Sequence, residues 1–537
     1  MRALMMDFPL TLDRLLERAG NLFGQIEVVS RRPDRSIHRT TYSEFHRRSK
    51  ALAESLQRAG LQPGDRVATL MWNHSAHLEA YFGIPAAGGV LHTLNLRLHP
   101  SEIAFIVNHA ADRFLIVDDV LLPLYEQFKP LTHLERIFVV PFSGNALPPG
   151  LESYEDFIAS ATGKFSYPKM DENDAAAMCF TSGTTGNSKG VLYSHRALVL
   201  HSFISTLKET FSVSQADTIL PACPMFHANA WGIPFAAVMV GAKLVLPGPH
   251  LDAESLLDLI AQEKVTTACG VPTVWIGVLA ALEKYPGRWK FAGPLRVPCG
   301  GTAPPEALMR ALDRYDIHIT HLWGMTESAP VATTGVLKTT MADWSEDKKY
   351  EVRSKQGLPA PFIEVRVRNE NGIAPWDGLS AGELEMRGPW VASAYYNAPE
   401  VQHRWTDDGW FKTGDVATID PEGYVKIVDR SKDLIKSGGE WISSVDLENA
   451  LMGHPKIREA AVVAIPHPKW QERPLAVVVM KEGESATPEE LRTFLATKFA
   501  KWQLPDGFAF AKEIPRTSVG KFLKLKLREQ YANWKWE

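Results

Sequence analysis

The stretch AAAMCFTSGTTGNSKG (175–190) joins an apolar run to a loop rich in glycine, serine and threonine. The run AAAMC (175–179) predicts a buried strand. Glycines let backbone N–H groups approach a ligand closely, and hydroxyl groups together with a lysine add donors for an anion. The loop therefore predicts a phosphate cradle. Its candidate ligands are Thr181, Ser182, Gly183, Thr184, Thr185, Gly186 and Lys189.

Two other loop types share part of this pattern. A Walker A loop requires G-x-x-x-x-G-K-[ST], and counting from Gly183 places Ser188 where the second glycine is needed. The Walker A reading therefore fails. Residues 186–190 do match G-x-S-x-G, the nucleophile elbow of hydrolases. No HGGG-type oxyanion segment occurs in the chain, which argues against a hydrolase. A hydrolase with Ser188 as nucleophile is kept as the alternative from another class.

Short apolar runs alternate with helical patterns on both sides of this loop. The strand candidates are 66–72, 113–119, 136–141 and 242–248, and the helix candidates are 42–60, 254–263 and 305–315. Such alternation favours α/β architecture with largely parallel sheets.

The pattern changes in the last third of the chain. Residues after about 350 are richer in strand signals, and DRSKDLIKSGGEWIS (429–443) has the charged and glycine-bearing composition of a linker. A βαβ-like unit is expected beyond it, with helices at 445–452 and 488–500 and strands at 459–465 and 475–480. We therefore expect a large N-terminal domain (1–430) of α/β subdomains plus a β-rich subdomain. A small mobile α+β C-terminal domain (431–537) should follow.

Composition excludes several classes of protein. The chain has 537 residues and a formal net charge of −4, which argues against a broadly basic nucleic-acid binder. Its four cysteines form no CxxC pair, which argues against a disulfide framework or a structural zinc site. No signal peptide or transmembrane segment is readable, since the long uncharged run 218–242 contains three prolines. A cytoplasmic protein is expected.

Further segments occur in a recognisable order. They are PMFHANAWG (224–232), GVPTVW (270–275), HLWGMTES (321–328), KTGD (412–415), the stretch 429–443 and PRTSVGKFLK (515–524). Together with the loop at 180–190 they make nearly the whole chain resemble the adenylate-forming acyl-CoA synthetase (ANL) superfamily. The likeness is strongest to the medium- and long-chain fatty acyl-CoA ligase branch, close to methylthiopropionate-CoA ligases. Ser188 stands where the family usually has proline, and Trp323 where many members have tyrosine.

The resemblance implies an ATP-dependent acyl-CoA ligase. Such an enzyme converts a carboxylic acid to an acyl-adenylate and then passes the acyl group to coenzyme A, releasing pyrophosphate and AMP. ATP, Mg²⁺ and coenzyme A are the implied cofactors, a fatty acid is the implied substrate, and a homodimer is expected. Two alternatives share this chemistry: a short-chain or methylthiopropionate-CoA ligase, and an enzyme that delivers its acyl group to a carrier protein. No carrier domain is recognisable before Glu537, which disfavours the second.

The resemblance also assigns roles to residues of the large domain. Lys189 and the hydroxyls of the loop would hold the β- and γ-phosphates, Thr326 the α-phosphate, and Glu327 with Thr184 the Mg²⁺ ion. The adenine would stack on Trp323, and the ribose would bind to Asp415. The remaining predicted contacts are Gly301, Thr302 and Ala303 for adenine, Arg430 for ribose, and His227, Trp231, Val271 and Gly300 for the acyl group.

The small domain is expected to change its role between the two half-reactions. Lys521 would bridge the substrate carboxylate and the α-phosphate during adenylation. Lys432 matches the family's pivot, about which the domain would rotate. The loop that would then line the pantetheine channel contains Gly438, Gly439, Glu440 and Trp441.

Overall fold

The computed structural model describes residues 3–181, 188–430, 432–437, 440–517 and 521–536. The strands are β1 (Glu27–Arg31), β2 (Ile37–Thr41), β3 (Arg66–Leu70), β4 (Val90–Thr93), β5 (Asp112–Asp118), β6 (Arg136–Val140), β7 (Glu152–Ser153), β8 (Ala175–Phe180), β9 (Gly190–Ser194), β10 (Thr218–Pro221), β11 (Lys243–Leu246), β12 (Thr267–Cys269), β13 (Leu295–Cys299), β14 (Ile317–Gly324), β15 (Val331–Thr334), β16 (Leu358–Pro359), β17 (Glu364–Asn369), β18 (Gly372–Ile373), β19 (Gly382–Arg387), β20 (Phe411–Ile419), β21 (Val425–Arg430), β22 (Ile435–Ser437), β23 (Glu440–Ile442), β24 (Ile457–His467), β25 (Gln471–Met480) and β26 (Gly507–Phe510). The helices are α1 (Leu12–Leu22), α2 (Tyr42–Arg58), α3 (Ser75–Ala86), α4 (Pro100–Ala110), α5 (Leu122–Phe128), α6 (Tyr154–Ala159), α7 (His195–Ser205), α8 (Ala228–Trp231), α9 (Ile233–Val240), α10 (Ala253–Gln262), α11 (Pro272–Lys284), α12 (Glu306–Asp313), α13 (Glu346–Ser354), α14 (Ser444–Met452), α15 (Pro488–Ala496) and α16 (Lys524–Gln530).

A seven-stranded sheet carries the phosphate loop at the end of β8. Its strand order is β7-β6-β5-β3-β4-β8-β9. The pairings from β7 to β8 are parallel, and β9 runs antiparallel to β8. All residues of β8 except its two terminal ones are buried. The expected strand at 175–179 and the predicted parallel sheet are both confirmed, and ligands of such sheets bind beyond the carboxyl ends of the strands.

A nine-stranded sheet forms the second layer of the large domain. Its order is β16-β15-β14-β13-β12-β10-β11-β1-β2, parallel from β14 to β1 with antiparallel strands at both edges. The carboxyl end of β14 delivers Trp323 and Gly324, and β10 ends just before 224–232. This second sheet therefore brings the predicted adenine and acyl segments to one edge.

A five-stranded antiparallel sheet follows, in agreement with the β-rich character predicted after residue 350. Its order is β18-β17-β19-β20-β21. Asp415 on β20 lies directly opposite Arg430 on β21 in the register. The two predicted ribose contacts are therefore cross-strand neighbours, although one belongs to the KTGD segment and the other to the DRSKD segment.

The small C-terminal domain differs in two ways from its expected pattern. The predicted βαβ-like order is wrong for β24 and β25, which pair antiparallel as a hairpin; the parallel crossover is instead made by β25, α15 and β26. The stretch 429–443 is also not simply a linker, because β22 and β23 form a short antiparallel ribbon within it. In both places the apolar runs predicted strands but not their partners.

Other sequence expectations concern cysteine and membrane segments. Cys179, Cys223, Cys269 and Cys299 are all free and buried. Among the described residues, no helix combines the length and the apolar character needed to cross a membrane.

Gly324 permits the close hairpin that contains the WGMTE segment (323–327). The amide of Met325 donates to the carbonyl of Pro330 at 2.9 Å. A Cβ atom on Gly324 would overlap that same Pro330 carbonyl. The turn therefore requires glycine, and the positions of the following residues depend on it.

We expect Gly324→Ala to lower the free energy of unfolding by about 1–3 kcal/mol, because overpacking forces backbone shifts of this cost. Thermal denaturation of the purified variant measures the effect. Gly293→Ala is the matched control, since a Cβ there meets no atom within 4 Å. Equal melting temperatures for the two variants would contradict this account of the hairpin.

Candidate active site

A cavity of about 490 Å³ lies between the large and the small domain. Its walls come from the ends of β8, β14 and β21, from the middle of β20, and from the segment before α16. The predicted site residues that line it are Thr181, Lys189, His227, Trp231, Gly300, Gly301, Trp323, Thr326, Glu327, Asp415, Arg430, Lys432 and Lys521. The fold thus brings together residues that are spread over 340 positions of sequence in four segments (181–189, 227–231, 300–327 and 415–521).

Asp415 is held by one partner on each carboxylate oxygen. The indole N–H of Trp323 donates to Oδ2 at 3.0 Å, and Nε of Arg430 lies 3.5 Å from Oδ1. The side chain is buried, with 6% exposed. Burial raises the pKa of Asp415, and the charge of Arg430 opposes that rise. A fixed carboxylate with open lone pairs can accept the two hydroxyls of a ribose.

Thr326 and Glu327 are buried and are positioned by two tyrosines. The hydroxyl of Tyr193 donates to the backbone carbonyl of Thr326 at 2.7 Å. The hydroxyl of Tyr395 donates to Oε1 of Glu327, and burial next to this carboxylate raises the pKa of Tyr395. The Glu327 carbonyl also accepts from the amide of Ala392 at 2.7 Å. These contacts leave a carboxylate and a hydroxyl facing the cavity.

Lys521 reaches this cavity from the small domain. Burial lowers the pKa of Lys521 to about 8, and Arg430 adds to this effect, whereas Asp415 and Glu327 oppose it. Gly301 has φ +88°, and a Cβ atom placed there would lie 3.7 Å from Cε of Lys521. A Cβ atom there would only touch the lysine side chain, so it is the positive φ that favours glycine at this position.

The ends of the phosphate loop are anchored, although the loop centre is not described. The amide of Thr181 donates to the carbonyl of Lys189 at 2.9 Å, and the amide of Lys189 donates to Oγ1 of Thr181 at 3.2 Å. The predicted ligands Ser182, Gly183, Thr184, Thr185 and Gly186 lie outside the described residues.

Ser188, the residue that replaces the usual proline, has a defined partner. Its hydroxyl donates to Oε1 of Glu102 on α4 at 2.8 Å, and 4% of the residue is exposed. This bond attaches the loop to α4 in a way that a proline could not. The same contact disfavours the hydrolase alternative, because the hydroxyl is buried against a carboxylate and is not presented to solvent beside an imidazole.

The predicted acyl segment forms an unusual left-handed turn. Ala228, Asn229, Ala230 and Trp231 all have positive φ, between 42° and 59°. Non-glycine residues adopt this conformation at a cost of roughly 1–2 kcal/mol each. Strain of this kind persists where the surroundings impose it and occurs often at functional sites. The turn places Trp231 on the cavity wall.

His227 precedes this turn and also faces the cavity. Burial and the nearby ammonium group of Lys521 lower the pKa of His227 to about 3. The imidazole is therefore neutral at pH 7, so it can donate a hydrogen bond to a substrate carboxylate without adding a charge of its own.

A second cavity of about 530 Å³ adjoins the first. Thr302 and Ala303 line it, and Asp415, Arg430, Lys432 and Lys521 border both cavities. Val271 is absent from both walls, but its Cγ1 lies 3.1 Å from the Cβ position of Gly301, so it supports the wall from behind.

Trp441 of the predicted coenzyme A loop lines neither cavity in this arrangement. Trp441 is 53% exposed, and the ammonium group of Lys436 lies over its ring on the β22–β23 ribbon. Gly438 and Gly439 lie outside the described residues, and only the backbone of Glu440 is described, in β23.

Some residues of the site carry no sequence signal. Tyr193 and Tyr395 each act through one hydrogen bond to a residue more than 60 positions away. Arg404 and His403 also line the first cavity, from a segment with no recognisable motif. A single contact made by tertiary structure produces no spacing pattern, so these residues could not be found from the sequence.

Comparisons with known proteins agree with this geometry. The AMP-binding enzyme family matches residues 16–396, and the AMP-binding enzyme C-terminal domain matches residues 446–521. A long-chain-fatty-acid–CoA ligase of Thermus thermophilus is 51% identical over 534 residues, covering 99% of this chain and 97% of the relative. A 3-methylmercaptopropionyl-CoA ligase of Ruegeria lacuscaerulensis is 43% identical, with 98% of each chain covered.

Solved structures show the same fold. The crystal structure of the anthranilate CoA ligase AuaEII with anthranoyl-AMP superposes with a TM-score of 0.86 at 24% identity, covering 98% of each chain. Both domains, in the order that the sequence predicts, are therefore accounted for by one known architecture. The chain belongs to the family of AMP-binding, adenylate-forming enzymes.

Proposed function

We propose that the protein is an ATP-dependent fatty acyl-CoA ligase that works through an acyl-adenylate. The observation that carries the proposal is the position of Lys521. An ammonium group from the small domain enters a buried cavity that also presents Thr326, Glu327 and Asp415 of the large domain. A cation placed between a predicted ribose site and a predicted phosphate site is suited to a reaction between two anions.

The first half-reaction joins a carboxylate to the α-phosphate. A carboxylate oxygen attacks the α-phosphorus of ATP, the bond from that phosphorus to the bridging oxygen breaks, and pyrophosphate leaves. Lys521 would neutralise charge on the attacking carboxylate and on the α-phosphate, while Thr326 donates to a phosphate oxygen. Preorganised donors of this kind lower the barrier without reorganising during the reaction.

The residues present fit Mg²⁺ at the phosphates. Glu327 supplies a carboxylate oxygen to the cavity, and Thr184 would add a hydroxyl. Among the described residues, no group of three His, Cys, Asp or Glu side chains could hold a metal on its own. That suits Mg²⁺, which is usually bound by one or two carboxylates together with substrate phosphates. When bound, the ion would offset the negative charge of the triphosphate.

The second half-reaction needs another arrangement of the small domain. The thiol sulfur of coenzyme A attacks the acyl carbon of the adenylate, and AMP leaves. Lys521 lines the cavity, whereas Trp441 does not and is exposed, so the arrangement seen here suits adenylation. Rotation about Lys432 would withdraw Lys521 and bring the 437–441 loop to the acyl group. Because ATP and coenzyme A are cytoplasmic metabolites, we propose a cytoplasmic location.

The name of the Thermus thermophilus relative suggests a long-chain fatty acid as the substrate, and the name of the Ruegeria relative suggests 3-methylmercaptopropionate. Trp231 occupies part of the wall of a 490 Å³ cavity that must also hold the nucleotide. The chain length that the protein accepts therefore depends on how far this indole can move.

The function is tested by incubating the protein with ATP, Mg²⁺, coenzyme A and acids from propionate to palmitate. We expect AMP and pyrophosphate to appear only when an acid is present, with the highest kcat/KM for medium or long chains. A maximum at 3-methylthiopropionate would select the short-acid alternative. No acid-dependent AMP with any acid would contradict the proposal.

We expect Lys521→Ala to slow adenylate formation about 10²–10³-fold, as for the loss of one preorganised donor. The same variant should still convert supplied acyl-adenylate to acyl-CoA at a rate near that of the wild type. Pyrophosphate exchange measures the first step, and thioester formation from synthetic acyl-adenylate measures the second.

Lys526→Ala is the matched control, because Lys526 lies in α16 of the same domain but is exposed. It should leave both steps unchanged. Equal losses of the two steps in Lys521→Ala would show that the lysine supports folding or a common step, and not adenylation in particular.

A further inference from the structure

The hydrogen bond between Trp323 and Asp415 joins two different sheets. Trp323 lies at the end of β14 in the nine-stranded sheet, and Asp415 lies on β20 in the five-stranded sheet. The distance from Nε1 to Oδ2 is 3.0 Å, and both residues border both cavities. The bond therefore lies beside the place where the nucleotide is expected to bind.

The surroundings of Asp415 leave the orientation of its carboxylate dependent on the bond to Trp323. The carboxylate is almost fully buried, and its other oxygen has Arg430 at 3.5 Å, too long for a strong hydrogen bond. The indole N–H at 3.0 Å is thus the closer of these two side-chain donors. A charge-assisted bond of this length restricts rotation of the carboxylate about its Cβ–Cγ bond.

The identity of the aromatic residue decides whether the bond can form. Tryptophan carries its donor on the edge of the ring system, so the indole can donate sideways while its face remains part of the cavity wall. Phenylalanine offers the face without a donor. Tyrosine, which many relatives have at this position, carries its hydroxyl at the far end of the ring.

We propose that Trp323 is a positioning residue for the ribose: its indole N–H orients the Asp415 carboxylate so that it accepts the ribose hydroxyls. This inference rests on the proposed function, since it takes Asp415 as the ribose-binding group. It adds that the adenine and ribose contacts are coupled through one side chain. Recognition of the ribose 2′-hydroxyl therefore depends on a residue that need not touch it.

The test compares binding of ATP and 2′-deoxy-ATP by calorimetry, for the full-length wild type and for Trp323→Phe. A site built around a substrate hydroxyl loses much of its selectivity when its acceptor is misplaced. We expect Trp323→Phe to weaken ATP binding about tenfold, as for one hydrogen bond to a charged group, and to weaken 2′-deoxy-ATP binding less, because that nucleotide offers Asp415 only the 3′-hydroxyl. The preference for the ribonucleotide should therefore fall.

A double-mutant cycle with Asp415→Asn separates this role from stacking alone. In the Asp415→Asn background, Trp323→Phe should cause no further loss of preference, because the two residues act through one bond. If Trp323→Phe fails to fold, Trp323→Tyr fills more of the space of the indole through its hydroxyl and should show the same loss of preference. Equal weakening of both nucleotides would overturn the inference and leave the proposed function intact. A wild type that binds neither nucleotide would overturn both.

Discussion

Placing the partly buried side chain of Lys521 in the cavity beside Asp415 and Glu327 is the constraint on which the site depends. A buried cation is costly unless opposite charges compensate it, and the depressed pKa of Lys521, about 8, records an incomplete compensation. Asp415 and Glu327 favour the charged form, and Arg430 opposes it. Among the described lining residues of the first cavity, five are lysine or arginine and two are carboxylates, so positive charge is in excess there. A carboxylate and a triphosphate would supply the compensating negative charge, so binding of the two anions and retention of the proton on Lys521 reinforce each other.

The position of Lys521 in turn depends on how the small domain rests on the large one. The start of α14 contacts the last strand of the large domain: the hydroxyl of Ser443, the residue before the helix, donates to the Val428 carbonyl at 2.5 Å, and Ser444 donates to Asp429 through its backbone amide at 2.8 Å. These contacts lie on either side of the proposed pivot at Lys432. They are polar, as contacts are at an interface that can separate and re-form. A rotation for the second step would have to break them.

Strands and site segments could be predicted from the sequence. The pairing of the strands and the side chains that contact the site residues could be predicted less well. The run before the phosphate loop and the alternation around it predicted a parallel sheet correctly, because hydrophobic periodicity reports local structure. The 459–465 and 475–480 strands were found, but their antiparallel pairing was not, since pairing depends on contacts that periodicity does not encode. In the site, thirteen predicted residues line one cavity, whereas Tyr193, Tyr395 and the Trp323–Asp415 bond emerge only from the tertiary structure.

In the proposed mechanism, the arrangement of the two domains seen here makes the adenylate and must change before the thioester forms. Lys426 on β21 and Asp446 on α14 face each other across the two domains, with Nζ 3.1 Å from Oδ2. The measurement is the rate of both half-reactions in Lys426→Cys/Asp446→Cys, before and after linking the thiols with a short bismaleimide; the four native cysteines are buried. We expect the linked protein to retain pyrophosphate exchange but to lose acyl-CoA synthesis from supplied acyl-adenylate. Acyl-CoA synthesis at the unlinked rate would contradict this mechanism.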